Sequence, residues 1–131
     1  MSDDSTALLK LNQRLLDAIA SADWKTYADL CDPTLSAFEP ESRGHLIEGM
    51  PFHQTYFDRG APECPRVTTI ASPHVRMMGD AAVVSYVRLT QVVGKDGQVE
   101  VTATQETRVW QRQPAGWRHV HFHRSPQRGA D

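Results

Sequence analysis

The alternation of apolar and polar side chains is clearest in the second half of the chain, where it predicts four long β-strands. The four candidates are residues 67–77, 82–93, 99–111 and 117–124. Short segments rich in Gly, Asp and Pro separate them, and such spacing is typical of β-hairpins. The pattern therefore predicts a four-stranded antiparallel meander.

The first half of the chain has the helical period instead. Asp4 or Ser5 can cap a first helix, Asp23 can cap a second, and a third is predicted at 51–59 with Pro51 in its first turn. Short strands are predicted at 35–39 and 44–48, and residues 127–131 are predicted to fray. The apolar stripe of the first helix consists of Leu8, Leu11, Leu15, Leu16 and Ile19.

Helices followed by a meander predict an α+β fold, in which N-terminal helices pack on a curved antiparallel sheet and residues 1–131 form a single domain. Both faces of the predicted strand 82–93 are apolar, because Val83, Val87 and Leu89 lie opposite Val84 and Tyr86. A helix can cover only one of them. The second face predicts self-association, as a homodimer or a larger ring.

The last hairpin carries the candidate chemistry. A three-residue loop 114–116, closed by Gln113 and Trp117, predicts three cross-strand pairs: Trp110 with Val120, Arg108 with Phe122, and Glu106 with Arg124. Arg88 joins the same face if its strand pairs as the meander requires. Since burying unpaired charges is costly, the arginines are predicted to line a cavity for a small carboxylate or other anion. The alternative is an internal salt-bridge network with Glu39, Glu41 or Glu106.

Composition narrows the class of protein. The chain has 131 residues, 40% of them apolar, and a formal net charge of −2, which gives no reason to expect nucleic acid as a partner. No signal-peptide pattern and no apolar run of membrane-spanning length occurs, and two cysteines suit a reducing compartment. We therefore expect a cytoplasmic protein without a membrane partner. No phosphate loop or nucleotide fingerprint occurs, so no cofactor is predicted.

Three histidines alternate near the end of the chain, at His119, His121 and His123. Strand alternation predicts that they share the face opposite Val120 and Phe122. Such a ladder could bind zinc, but a fourth ligand at suitable spacing is missing, so no metal site is predicted. The preferred interpretation places them against a neighbouring subunit, where protonation would affect assembly.

Several runs carry a resemblance to a known family: AFEPES from Ala37, LIEGMPFH from Leu46, SPHVRMMGDAAVVSYVRLTQ from Ser72, QETRVWQR from Gln105 and WRHVHFHRS from Trp117. The chain resembles the association (hub) domain of calcium/calmodulin-dependent protein kinase II, which has the cone-shaped nuclear-transport-factor-2-like fold. The resemblance implies an oligomerising domain, here expected to stand alone without a kinase domain. It also implies pocket residues, namely His53, Arg88, Arg108 and Arg124, with Tyr27 at the rim.

The resemblance assigns no catalytic residues, and kinase activity is not expected. A non-catalytic, carboxylate-binding assembly domain is therefore the preferred interpretation. The alternative is a small enzyme of the same fold, an isomerase or hydratase acting on a carboxylate-bearing molecule. In that case Glu39 or Glu41, with Tyr27 and His53, would supply the general base.

Overall fold

A computed structural model describes residues 3–129. It contains three α-helices, α1 (Asp3–Ala20), α2 (Trp24–Leu30) and α3 (Pro51–Phe57), and one 3-10 turn at Pro40–Ser42. The strands are β1 (Cys31–Phe38), β2 (Ile47–Glu48), β3 (Arg66–Met78), β4 (Ala81–Val93), β5 (Val99–Gln113), β6 (Gly116–Arg124) and β7 (Arg128–Gly129). None of the helices in this part of the chain is both long and apolar enough to cross a membrane.

The helices form where the sequence predicts them, with shifted ends. Helix α1 begins at Asp3, so Asp4 and Ser5 lie inside its first turn and not at its cap. Its stripe is fully buried at Leu8, Leu15 and Leu16. Asp23 caps α2 as predicted, since its carboxylate accepts a hydrogen bond from the Thr26 amide at 3.1 Å.

Strands β3 to β6 form the predicted antiparallel meander, and the whole sheet has the order β2-β1-β6-β5-β4-β3. The parallel pairing of β1 with β6, along the far edge of the meander, was not predicted. The predicted fraying is also wrong for β7, which pairs with Thr102 and Ala103 of β5. Residues 130 and 131 lie outside the described part of the chain.

The last hairpin combines a shorter turn with a bulge. Gln113 pairs with Gly116, so the loop holds two residues and not the predicted three. Trp110 therefore faces His119, and the predicted pairing with Val120 is wrong. Val120 is the extra residue of a β-bulge, and beyond it the predicted pairs of Arg108 with Phe122 and Glu106 with Arg124 are present. The loop is one residue shorter than predicted and the bulge adds one residue to β6, so the pairing beyond the bulge has the predicted register.

The helices cover one side of the sheet, here called the inner face. Its side chains include Val84, Tyr86 and Trp110, and the Trp110 indole donates to Asn12 of α1 at 3.0 Å. The opposite side, the outer face, carries half-buried apolar side chains from β4 and β5. These are Val83, Val87 and Leu89 in β4, with Val101, Ala103 and Val109 in β5.

Candidate functional site: an arginine-lined cavity

A cavity of about 510 Å³ opens between the helices and the inner face. Its size lies in the range of small-molecule sites, roughly 300–1,000 Å³. The five residues predicted from the sequence all line it: Tyr27, His53, Arg88, Arg108 and Arg124. Phe122 contributes to the wall, whereas Trp110 and Val120 do not. The fold thus gathers side chains from two helices and three strands around one space.

Glu106 lies behind the inner wall and binds two of the arginines. Arg88 donates to Oε2 at 2.9 Å, while Arg108 and the Tyr86 hydroxyl donate to Oε1 at 3.0 and 2.5 Å. Burial alone would raise the pKa of Glu106, but attraction to Arg108 and Arg88 outweighs it and lowers the pKa to about 2. Glu106 is therefore ionised, and one carboxylate serves two guanidinium groups.

The bulge at Val120 turns His119 into the protein, so the predicted ladder of three histidines on one face is wrong. Arg108 Nη1 lies 3.3 Å from His119 Nε2, and Cys31 Sγ lies 3.4 Å from Nδ1 of the same ring. Because a guanidinium can only donate, Nε2 must accept and Nδ1 carries the proton. Burial, with the charge of Arg108, holds the pKa of His119 well below its usual value, and burial raises the pKa of Cys31 to about 12. Both groups are uncharged structural neighbours of Arg108.

Arg124 belongs to a second charged cluster. Its Nη2 donates to both carboxylate oxygens of Glu41 and lies 3.9 Å from Glu39 Oε1. The other Glu39 oxygen lies 3.0 Å from His53 Nε2, and both side chains are almost fully buried. His53 Nδ1 has no hydrogen-bond partner within residues 3–129. The internal salt-bridge network considered above is therefore present, and each of the three predicted arginines has a carboxylate partner.

Tyr27 is the one predicted pocket residue whose position differs from the prediction. It is only 2% exposed. Its ring stacks on that of Trp24, with the ring centres 5.9 Å apart, and is tilted against that of Phe57, with the centres 4.9 Å apart. Burial raises the pKa of its phenol well above the usual value. Tyr27 is therefore part of the buried wall and not of the rim.

The mouth of the cavity contains two arginines that the sequence did not single out. Arg59 follows α3 and Arg66 begins β3, and both line the cavity beside Tyr56. They flank the loop 60–65, where no periodicity predicts the direction of a side chain. Their one sequence signal is their position at the two ends of a loop between a helix and a strand.

Comparison with known proteins assigns this chain to a family. The profile described as calcium/calmodulin dependent protein kinase II association domain matches residues 4–128. The chain belongs to that family. Among solved structures, the CaMKII hub homology domain of Chlamydomonas reinhardtii has a TM-score of 0.87 and 47% identity, covering 94% of this chain and 98% of that one.

Two further matches show how much of a curated relative this chain spans and which fold it has. The calcium/calmodulin-dependent protein kinase type II alpha chain of Drosophila melanogaster is 45% identical over 121 residues, which is 90% of this chain but 23% of that protein. The association domain therefore spans less than a quarter of that relative. A nuclear-transport-factor-2-like protein from Salmonella enterica has a TM-score of 0.74 and 26% identity, over 96% and 91% of the two chains. It confirms the predicted fold class.

Proposed function

We propose that this association domain assembles with further copies of itself through the outer face of its sheet. The observation that carries the proposal is the uncovered apolar surface at Val83, Val87 and Leu89, on the side away from all three helices. Leaving such a surface in water is unfavourable by about 25 cal/mol per Å². Membership of an association-domain family supports the same reading.

Sedimentation velocity with native mass spectrometry tests the assembly. Wild type at about 10 µM is expected to sediment as a dimer or a larger species. A specific interface between copies typically buries roughly 1,200–2,000 Å² of surface. Val87→Asp places a charge on the outer face and is expected to shift the protein towards monomer. Lys10→Glu, on the exposed side of α1, is the control and should not. A monomeric wild type would overturn the proposal.

We further propose that the cavity binds a small carboxylate. The lining supports this because Arg88 and Arg108 share one carboxylate, which leaves one guanidinium charge uncompensated near the inner wall. Arg88 also has donors beyond its single bond to Glu106. Titration calorimetry with butanoate, hexanoate and benzoate provides the test. Arg88→Gln is expected to weaken any binding about tenfold, and the absence of heat with every acid would refute the idea.

The contact between Glu39 and His53 favours a second candidate, an isomerase or hydratase. A carboxylate that orients a buried imidazole is the usual arrangement of a general base. Proton NMR of a bound acid in D2O, after long incubation with the protein, distinguishes the two functions. Hydrogen exchange or a new product that disappears in His53→Ala would indicate catalysis. Binding without change in the acid supports the non-catalytic function.

A further inference from the structure

The two arginines at the cavity mouth differ from those deeper inside. Arg88, Arg108 and Arg124 each form an ion pair. Within residues 3–129, neither Arg59 nor Arg66 pairs with a carboxylate. Arg59 instead lies with its guanidinium carbon 5.6 Å from the centre of the Tyr56 ring. The mouth therefore presents two cationic groups that no internal anion compensates.

The backbone under these arginines is fixed by hydrogen bonds. The Arg59 amide donates to the Tyr56 carbonyl at 3.3 Å, which continues the last turn of α3. At the other end of the loop, the Val93 amide donates to the Pro65 carbonyl at 3.3 Å. Lys95 also pairs with Glu63 of this loop at 3.1 Å. The backbone at or next to each arginine is thus held by a hydrogen bond, and both side chains line the same cavity.

The charges around the cavity do not cancel. Five arginines line it, against two glutamates on the lining and Glu106 directly behind it. Counted without the histidines, cations exceed anions by two. A monoanion would compensate half of this excess, whereas a dianion would compensate all of it. Complementary charge also accelerates and orients the entry of such a ligand.

We propose that the cavity takes a small dicarboxylate, with one carboxylate near the inner arginines and the other between Arg59 and Arg66. This inference rests on the carboxylate binding proposed above and adds the second anionic group. The mouth arginines are exposed, so their contribution is modest and sensitive to salt. Each is expected to change the affinity about two- to fivefold.

Titration calorimetry with chain-matched acids tests the proposal: butanoate against succinate, and hexanoate against adipate. Wild type should bind at least one dicarboxylate about fourfold or more tighter than its monocarboxylate partner at low salt. The double variant Arg59→Gln/Arg66→Gln should lose this preference and keep its affinity for the monocarboxylate. Arg76→Gln is the matched control, since Arg76 is an exposed arginine on β3 that does not line the cavity.

The results separate the two proposals. Equal affinity for both members of every pair would overturn the dicarboxylate assignment and leave carboxylate binding intact. A preference that persists in the double variant would also overturn it, because the second anionic group would then lie elsewhere. Absence of binding by all four acids would overturn both proposals. Thermal unfolding of each variant confirms that the native fold is retained.

Discussion

At the scale of single residues, the structure resolves how three arginines can be tolerated inside a small domain. Arg108 is 1% exposed, and Glu106 is its anionic partner. The Tyr86 hydroxyl and the His119 imidazole accept hydrogen bonds from its guanidinium, and the centre of the Phe122 ring lies 4.4 Å from its guanidinium carbon. Removing one partner of a buried pair typically costs about 3–5 kcal/mol, since the other charge stays buried. The arginines thus line the cavity and also belong to the salt-bridge network that the sequence analysis kept as the alternative.

The burial of His119 predicts a specific loss of stability in weak acid. Its pKa lies well below 6.5 in the folded protein, so below about pH 6.5 only the unfolded chain gains this proton. Stability then falls with pH by up to about 1.4 kcal/mol per unit. Urea denaturation between pH 7 and pH 5 should show this slope in wild type, and a smaller slope in His119→Gln. Substitution of the exposed His45 by Gln is the control.

The ionisation of Glu106 places a second loss of stability at lower pH. A carboxylate with its pKa lowered from 4.5 to about 2 contributes stability above pH 4.5, and this is lost as pH falls towards 2. The two steps therefore occupy different ranges of pH. Identical slopes for wild type and His119→Gln above pH 5 would contradict the assigned role of His119.

At the scale of elements, the meander and the three helices could be predicted because period and turn residues report them directly. The pairing of Arg108 with Phe122 was also predicted, although from a loop one residue too long. The bulge at Val120 leaves no sequence signal, so the inward turn of His119 could not be predicted. The parallel pairing of β1 and the direction of Arg59 and Arg66 depend on tertiary contacts between distant segments.

The turn of the last hairpin provides a test at this scale. Gly116 has φ +122°, a backbone conformation that residues with a Cβ rarely adopt. Gly116→Val is expected to destabilise the protein by about 1–3 kcal/mol through backbone strain. A clash does not contribute, because the nearest atom that a Cβ would meet is Arg118 Nη1 at 3.7 Å, an ordinary contact distance. Ala115→Val in the same turn is the control, since φ is not positive there. Equal denaturation midpoints for the two variants would mean that the strain is absent.

At the scale of the whole molecule, the two faces of the sheet have different chemistry. The inner face holds ion pairs of arginine and glutamate, while His121 and His123 lie on the outer face. Ser36 Oγ lies 2.6 Å from His121 Nδ1, and the Phe38 ring lies 5.5 Å from that of His123. Both imidazoles therefore lie on the surface that we propose for assembly.

These histidines predict that acid weakens self-association. Burial and the nearby His123 lower the pKa of His121, and a covering subunit would lower it further by desolvation. Assembly is then favoured while His121 is neutral and is weakened in acid as His121 gains a proton. Sedimentation at pH 7.5 and 5.5 should show this change in wild type and less of it in His121→Gln/His123→Gln. Circular dichroism at each pH excludes unfolding, and assembly that strengthens in acid would contradict the prediction.

The parallel pairing of β1 with β6 also affects how fast the protein can fold. Ser36 and His121, which bond across this pair, are 85 residues apart along the chain. Closing so long a loop carries an entropic cost that no local contact offsets, and folds dominated by such distant pairings form slowly, in milliseconds to seconds. During synthesis the cavity cannot close until β6 has left the ribosome. Until then, the charged groups of the cavity remain in water, and β1 and β5 each have one edge without its final neighbouring strand.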